Sequence, residues 1–398
     1  MTALVIDNIG QLVTCDAELG DGVLGIRTGA ALVLEGGLVA ELADAGKAVG
    51  DRHVDAGGRA VMPGFVDSHT HLVFAGDRAD EFAARMAGRR YDAGGIRVTT
   101  AATRAASDEL LVRLARERQR RARRDGITHQ EIKSGYGLDV ETEARSCRVA
   151  AQLSDDVTFL GAHVVPADFA DRADDYVALV CGEMLQACAP HARWVDAFCE
   201  DGAFDRDQCR AVLEAGRSAG LGLRLHANQL GEGPGVQLAV EMDAASADHC
   251  TYLSDADIVA LADSNTVATF LPATDFATRE RYPDARRVVD AGARVALATN
   301  TNPGSSYTTS MSFVIALAVR DLLMTPEEAV LAATAGGATA LRRTDLGKLR
   351  PGMRADAVVL DAPAYTHIPY RPGESLACMT VVAGQIEWVD PAFAANWL

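Results

Sequence analysis

The chain predicts an α/β fold: a (β/α)8 barrel of the TIM type, with a small composite β-sandwich built from both chain ends. Three observations carry that expectation. Short apolar runs alternate with helical patterns through the middle of the chain. Both ends read instead as strands separated by turns. Histidines recur where the apolar runs stop. At 398 residues the chain is long for one core, so a large domain with a smaller companion is the expected arrangement.

Residues 1–58 open the sandwich. "ALVIDNIGQLV" is followed by "GAALVLEGGLVAEL", in which Gly36-Gly37 marks a hairpin, and then by "RHVDAGGRAV". Residues 346–398 have the same character, with "ADAVVLDAP" and "CMTVVAGQIEWV". The two ends are expected to pair, with residues 59–345 inserted between them as the barrel. The barrel strands are expected in "AVMPGFVDSH", "GITHQEIKSG", "VTFLGAHVV", "RWVDAFCE", "GLRLHANQL", "AASADHCTY", "TVATFLPAT" and "RVALATNTN". Helical patterns fall between them, at 139–153, 173–189, 205–219, 254–263 and 283–292. A doubly wound open sheet is the alternative, but no G-x-G-x-x-G follows the first strand.

The composition, 48% hydrophobic and 23% charged, is that of an ordinary globular protein. A formal net charge of −17 argues against a nucleic-acid partner, which needs a basic face. The one basic cluster, "RLARERQRRARRDG" at 113–126, follows a helical pattern and reads as a solvated helix face. Eight scattered cysteines form no C-x-x-C pair and read as free thiols. The start carries no basic stretch followed by a long apolar one, and no run reaches membrane-span length, so a cytoplasmic location without membrane contact is expected.

In such a barrel, chemistry gathers where strands end. His69 and His71 end the first run, and Lys133 and Tyr136 follow the second. His163 ends the third run, His226 the fifth and His249 the sixth, while Asn300 and Asn302 end the eighth. Residues i and i+2 of a strand point to the same side, so His69 and His71 can share one cation. A lone H-x-H is a weak signal. One that closes the first strand, with His226 and His249 at later strand ends, is a strong one. Asp67 is a candidate partner for orienting an imidazole, or a turn residue. His53, His129, His191 and His367 fall outside this set and read as surface or structural.

The motifs "MPGFVDSHTHLVFAGDR", "EIKSGYGLD", "FLGAHVVP", "FCEDGAF", "LHANQL", "SADHCTYLSD" and "NPGSS" together resemble the imidazolonepropionase family of the amidohydrolase superfamily, in order, over roughly residues 55 to 375. The resemblance implies a barrel with a composite β-sandwich, one zinc or iron ion per chain, and a homodimer. It implies hydrolysis of 4-imidazolone-5-propanoate to N-formimino-L-glutamate, in histidine degradation. His69, His71 and His226 match the family's metal-binding histidines, and His249 its active-site histidine. Arg78 matches an arginine that pairs with the substrate carboxylate. Tyr136, His163, Asn302, Gly304 and Ser305 match substrate-binding positions, and Gln229 a position that contacts the ring or the water. Lys133 raises the alternative of a carbamylated lysine between two metals. In the superfamily that lysine belongs to strand four, and "WVDAFCE" has none, so a single ion is expected.

One position departs from the pattern. The family's strand-eight motif begins with an aspartate, as D-x-N-P-G, whereas this chain reads Asn300-Thr301-Asn302-Pro303-Gly304. The position is a metal and catalytic one in the family. An amide carries no charge and is no base near neutral pH. The expectation is therefore a metal-binding chain with reduced or altered hydrolysis. The alternatives are a related cyclic-amide hydrolase or aminohydrolase, and a ligand-binding protein that has lost turnover.

Overall fold

The computed structural model describes residues 3–88 and 95–395. The chain divides into two compact units. One comprises Met1–Ser68, Arg120–His129 and Thr309–Leu398; the other comprises His69–Gln119 and Gln130–Thr308.

The first unit is built on an eight-stranded sheet. Its order is Gln385–Val389, Ala377–Val382, Ala357–Leu360, Ala60–Pro63, Leu4–Val13, Ile26–Glu35 and Leu38–Asp44, with Arg52–Asp55 also paired to Leu4–Val13. The two chain ends meet where Ala357–Leu360 runs antiparallel to Ala60–Pro63. The Gly36-Gly37 hairpin forms as expected. Both glycines have positive φ, which a tight two-residue hairpin turn requires. Alternate residues of these strands, among them Ile6, Leu12, Leu32, Val61, Val359 and Met379, make one apolar core.

The second unit holds seven parallel strands in chain order: Ile132–Lys133, Val157–Ala162, Trp194–Cys199, Gly222–Ala227, Ser246–His249, Val267–Phe270 and Val295–Leu297. Nearly every strand residue is buried, as in a parallel sheet covered on both faces. The segment His69–His71 joins the two edges of this sheet. On one side Lys133 N donates to Thr70 O at 2.8 Å; on the other, Asn300 N donates to His69 O at 3.0 Å and His71 N to Thr301 O at 2.9 Å. The result is a curled parallel sheet of the TIM-barrel type.

Helices stand between the strands where the periodicity places them, at Val140–Ala150, Arg206–Ser218, Asp255–Ala262 and Ala285–Asp290. Asp205 and Ser254 close capping boxes at two of their starts. The pattern at 173–189 is not one helix. It widens into a π-turn over Val180–Met184, where Gly182 leaves helical geometry (φ −101°, ψ −108°).

Two strand expectations are corrected. The run 60–69 splits, with Ala60–Pro63 joining the large sheet and Phe65–Asp67 pairing with Ile127–Gln130. Gly64 lies at the break, where a Cβ would come within 2.0 Å of the Thr128 side chain. The run 126–135 splits in the same way, at Glu131. The basic helix face is solvent-exposed at Arg113, Arg116, Arg120, Arg121 and Arg124, and Arg118 is its exception. Arg118 is buried, donates to Leu72 O and Phe74 O, and stacks 3.4 Å from the Phe74 ring centroid. All eight cysteines are free thiols. Among the described residues, no helix is long and apolar enough to cross a membrane.

Candidate active site

His69 and His71 follow the short strand Phe65–Asp67, and the backbone bonds on both sides fix their directions. His226 lies near the end of Gly222–Ala227, and His249 ends Ser246–His249. The four rings cluster. Centroids are 4.5 Å apart for His69–His226, 5.4 Å for His226–His249, 5.3 Å for His69–His71 and 5.6 Å for His71–His226. Nitrogens of His69, His226 and His249 lie within 4.8 Å of one another. His71 belongs to the same cluster but also stacks on His163, at 5.3 Å and 20°.

These residues fit a cation. Burial favours the neutral rings, so the imidazolium forms of His69, His71 and His249 are pushed well below the ordinary histidine range. Among the described residues, His69 Nε2, His71 Nδ1, His249 Nδ1 and the Asn300 Oδ1 atom are buried without a hydrogen-bond partner. Buried imidazole nitrogens that converge within 4.8 Å at His69, His226 and His249 suit a borderline-soft divalent ion.

A charged layer positions the rings. His69 Nδ1 lies 2.8 Å from Asp248 Oδ2, so its Nε2 carries the free lone pair. His226 Nδ1 lies 3.0 Å from Asp196 Oδ2, at ion-pair distance but off the line of a hydrogen bond. Lys133 Nζ bridges Glu131 Oε1 and Asp196 Oδ2, each at 2.9 Å, and stands 3.7 Å from Asp248. Arg224 Nη2 lies 3.1 Å from Asp248. Burial alone would raise both aspartates. Arg224, His69 and Lys133 hold Asp248 well below the usual carboxylate range, and His226 and Lys133 do the same for Asp196. Lys133 is thus a counter-ion for these carboxylates. The carboxylate bonded to His69 Nδ1 is Asp248.

One cleft collects most of the residues singled out from the sequence. His71, Arg78, Tyr136, His163, His226, Gln229, His249, Asn300, Asn302 and Ser305 line it, with Ile96, Val164 and Phe198 as its apolar surface. His69 and Gly304 are not on the lining. Arg78 is 4% exposed at its side chain and bound two-pronged to Glu81, with Nε–Oε2 and Nη2–Oε1 both 2.7 Å. Arg85 bonds Glu81 as well and reaches the Gly304 carbonyl at 2.9 Å. A Cβ at Gly304 would sit 2.1 Å from Arg78 Nη1, so a larger residue there would have to displace the guanidinium.

His163 Nδ1 is 2.8 Å from Gly135 O, and burial, with His226 nearby, pushes the ring down to about 3. The neutral ring therefore donates at Nδ1 and presents Nε2 as an acceptor. Asn302 is committed to its own loop. Its Oδ1 takes Gly304 N and Ser305 N, each at 2.8 Å, and its Nδ2 donates to Asn300 O at 2.7 Å. Asn300 donates Nδ2–H to Thr274 Oγ1 at 2.8 Å. Left-handed backbone gathers at these strand ends, with φ of 82° at His249, 52° at Cys250, 53° at Asn228 and 50° at Asn300.

Sequence reasoning missed Glu81, Arg85, Glu131, Asp196, Arg224 and Asp248. Asp196 and Asp248 did carry a signal, as charged residues inside otherwise apolar runs, "WVDAF" and "ASADH". Glu81 and Arg85 carried none, since an acid and a base four apart look like any solvated helix pair.

A curled parallel sheet whose strand ends converge on buried neutral imidazoles defines a hydrolase of the amidohydrolase class. The family model described as "Amidohydrolase family" matches residues 60–387. An imidazolonepropionase from Salinispora arenicola is 63% identical over 379 residues, 94% of this chain and 96% of its own length. One from Mycolicibacterium smegmatis is 60% identical, covering 98% of both chains. A solved triazine hydrolase from Arthobacter aurescens superposes with a TM-score of 0.75 at 18% identity, over 100% of this chain and 99% of that one. An adenosine deaminase from Xanthomonas campestris with bound zinc gives 0.73 at 18%, over 99% and 96%. The chain belongs to the amidohydrolase family and, within it, to the imidazolonepropionases.

Proposed function

We propose that this chain opens the lactam ring of 4-imidazolone-5-propanoate by water at its C–N bond, giving N-formimino-L-glutamate in histidine degradation. One observation carries the reading: the same cleft presents unprotonated imidazoles and the Arg78 guanidinium. The first suit a carbonyl-activating cation and the second suits a propionate. The family relatives at 60–63% identity support it.

One zinc or iron ion is assigned to His69, His71 and His226, with Asn300 beside it. A cation there supplies Lewis-acid polarisation of the ring carbonyl and an acidified water. Arg78 binds the propionate. Tyr136 and His163 frame the ring, with His163 Nε2 accepting a ring N–H. Gln229 orients the ring or the water. His249, neutral and close to His69 and His226, receives a proton. Asn302, Gly304 and Ser305 shape the loop against the ligand. The sheet formed by both chain ends, Ala60–Pro63 included, is read as the family's composite β-sandwich, with 1–58 and 346–398 as its expected parts. A cytoplasmic homodimer without a nucleic-acid partner completes the proposal.

The test is turnover of 4-imidazolone-5-propanoate with metal analysis of the same sample. Product formed in proportion to bound metal is expected; a metal-loaded chain without product overturns the reading. Asn300 favours a second one, a ligand-binding protein without turnover, because no carboxylate stands where the family motif has its base. Calorimetric binding with no product after long incubation would establish it.

A further inference from the structure

Tyr136 sits between Gly135 and Gly137 in the loop after Ile132–Lys133. A single carboxylate ties that loop. Glu143 Oε2 accepts Gly135 N at 2.8 Å, while Oε1 accepts Gly137 N at 2.6 Å and Leu138 N at 2.8 Å. Glu143 is fully buried near the start of the helix Val140–Ala150. The tie extends one residue further into the cleft, because the Gly135 carbonyl takes the His163 Nδ1–H at 2.8 Å. Gly135 adopts φ +110°, and a Cβ there would stand 2.9 Å from His163 Nδ1. The Tyr136 and His163 rings lie 5.4 Å apart, and both face the cleft.

We propose that Glu143 is a positioning residue for the substrate. One buried carboxylate sets the loop 135–138, and through it places both the Tyr136 ring and the acceptor nitrogen of His163. The inference rests on the proposed ring–propionate ligand, although the loop geometry stands without it. Burial raises the Glu143 carboxyl while the backbone N–H bonds pull it back down, and three such bonds on one buried group leave the loop little freedom. A glutamine at 143 has one acceptor oxygen. Turned toward Gly137 and Leu138, it leaves an amide N–H facing the N–H of Gly135, so the residue that holds His163 is the first released.

The test uses the purified full chain, parent and Glu143→Gln, with zinc added to both. Amide hydrogen exchange over 135–138 is measured without ligand. Binding of imidazole-4-propanoate, which has the ring and the propionate but no lactam, is measured by calorimetry. Exchange at Gly135 is expected to rise at least tenfold, the probe Kd to rise about tenfold, and bound zinc per chain to stay the same. In a background carrying both Tyr136→Ala and His163→Ala the same change should cost under threefold, because its effect passes through those two side chains. Unchanged exchange, unchanged probe affinity, or zinc lost together with affinity would each overturn the proposal. If Glu143→Gln fails to fold, Glu143→Asp, which keeps the charge and shortens the reach, is measured for the same shifts. A parent that binds zinc but not the probe overturns the ligand reading, and the exchange result then shows whether the loop tie exists without it.

Discussion

The cleft draws on two sets of side chains that are held in place differently. His69, His226 and His249 sit on or beside strands, and their directions come from the backbone ladder and from Asp248 and Asp196 behind them. Arg78, Tyr136 and Gln229 ride on loops. Each is tied by a carboxylate that bonds the residue or its neighbours: Glu81 for Arg78, Glu143 for the Tyr136 loop, and Glu200, which takes Gln229 N and Leu230 N at 2.8 and 2.9 Å. Carboxylates orient both sets, fully buried at Asp196, Asp248 and Glu143 and partly exposed at Glu81 and Glu200, but one set is held through imidazole and the other largely through backbone N–H. Damage to the first should therefore show in cation affinity and turnover. Damage to the second should show in substrate affinity.

The largest effect tests the strand-end set at its altered member. Asn300→Asp should raise turnover of 4-imidazolone-5-propanoate by about 10²–10⁴-fold, the usual worth of general-base assistance. Thr274 Oγ1, which now accepts from Asn300, can turn its hydroxyl to donate to the new carboxylate. Equal initial rates for parent and variant would show that another group already takes the proton. The next effect tests the layer behind the rings. Asp248→Asn removes the charge that fixes the His69 tautomer, and zinc affinity measured by chelator competition should fall about 10–100-fold. If affinity holds while the chain is merely less stable, the charged layer supports the fold and not the cation.

The same division explains what could be read in advance. Strand-borne residues follow a two-residue period, so "HTH" and the histidines at later run ends announce a converging cluster in the sequence itself. The alternation of runs and helices announced the barrel. The carboxylate ties were hidden because their partners are backbone amides, which every residue carries. Nothing in "SGYGLDVETE" shows that Glu143 turns back on Gly135 rather than facing water. The break at Gly64 was hidden for a related reason, since it depends on Thr128, a residue far along the chain.

A third effect concerns pH and falls on stability. Asp275, beside the Thr274 that holds Asn300, accepts a hydrogen bond from Thr251 Oγ1. Burial lifts its carboxyl from 3.8 to about 7. The folded chain thus holds this proton more tightly than the unfolded chain does. The contribution is complete below about pH 4 and is lost as pH rises through 7. Roughly 2 kcal/mol should disappear between pH 5 and pH 8. Chemical denaturation at the two pH values should show that loss in the parent and a flatter response in Asp275→Asn. An equal loss in both chains would place the dependence elsewhere.

The smallest effect separates positioning from competition within the loop-borne set. Glu81 occupies the Nε–Nη2 edge of Arg78, and it could act in two opposite ways. As a tie, it holds the guanidinium in the orientation that receives a propionate. As a rival anion, it weakens that same capture. The side chains of Arg78 and Arg85 are almost wholly buried and both hold Glu81, which is itself 30% exposed, so the orientation is set while solvent screens part of the contact. Loss of one charge-assisted bond from that arrangement is worth about 1 kcal/mol. In Glu81→Gln, KM should therefore rise about fivefold with kcat and bound metal unchanged. A fall in KM would mean that Glu81 competes with the substrate, and the loop carboxylates would then no longer form one class with Glu143 and Glu200.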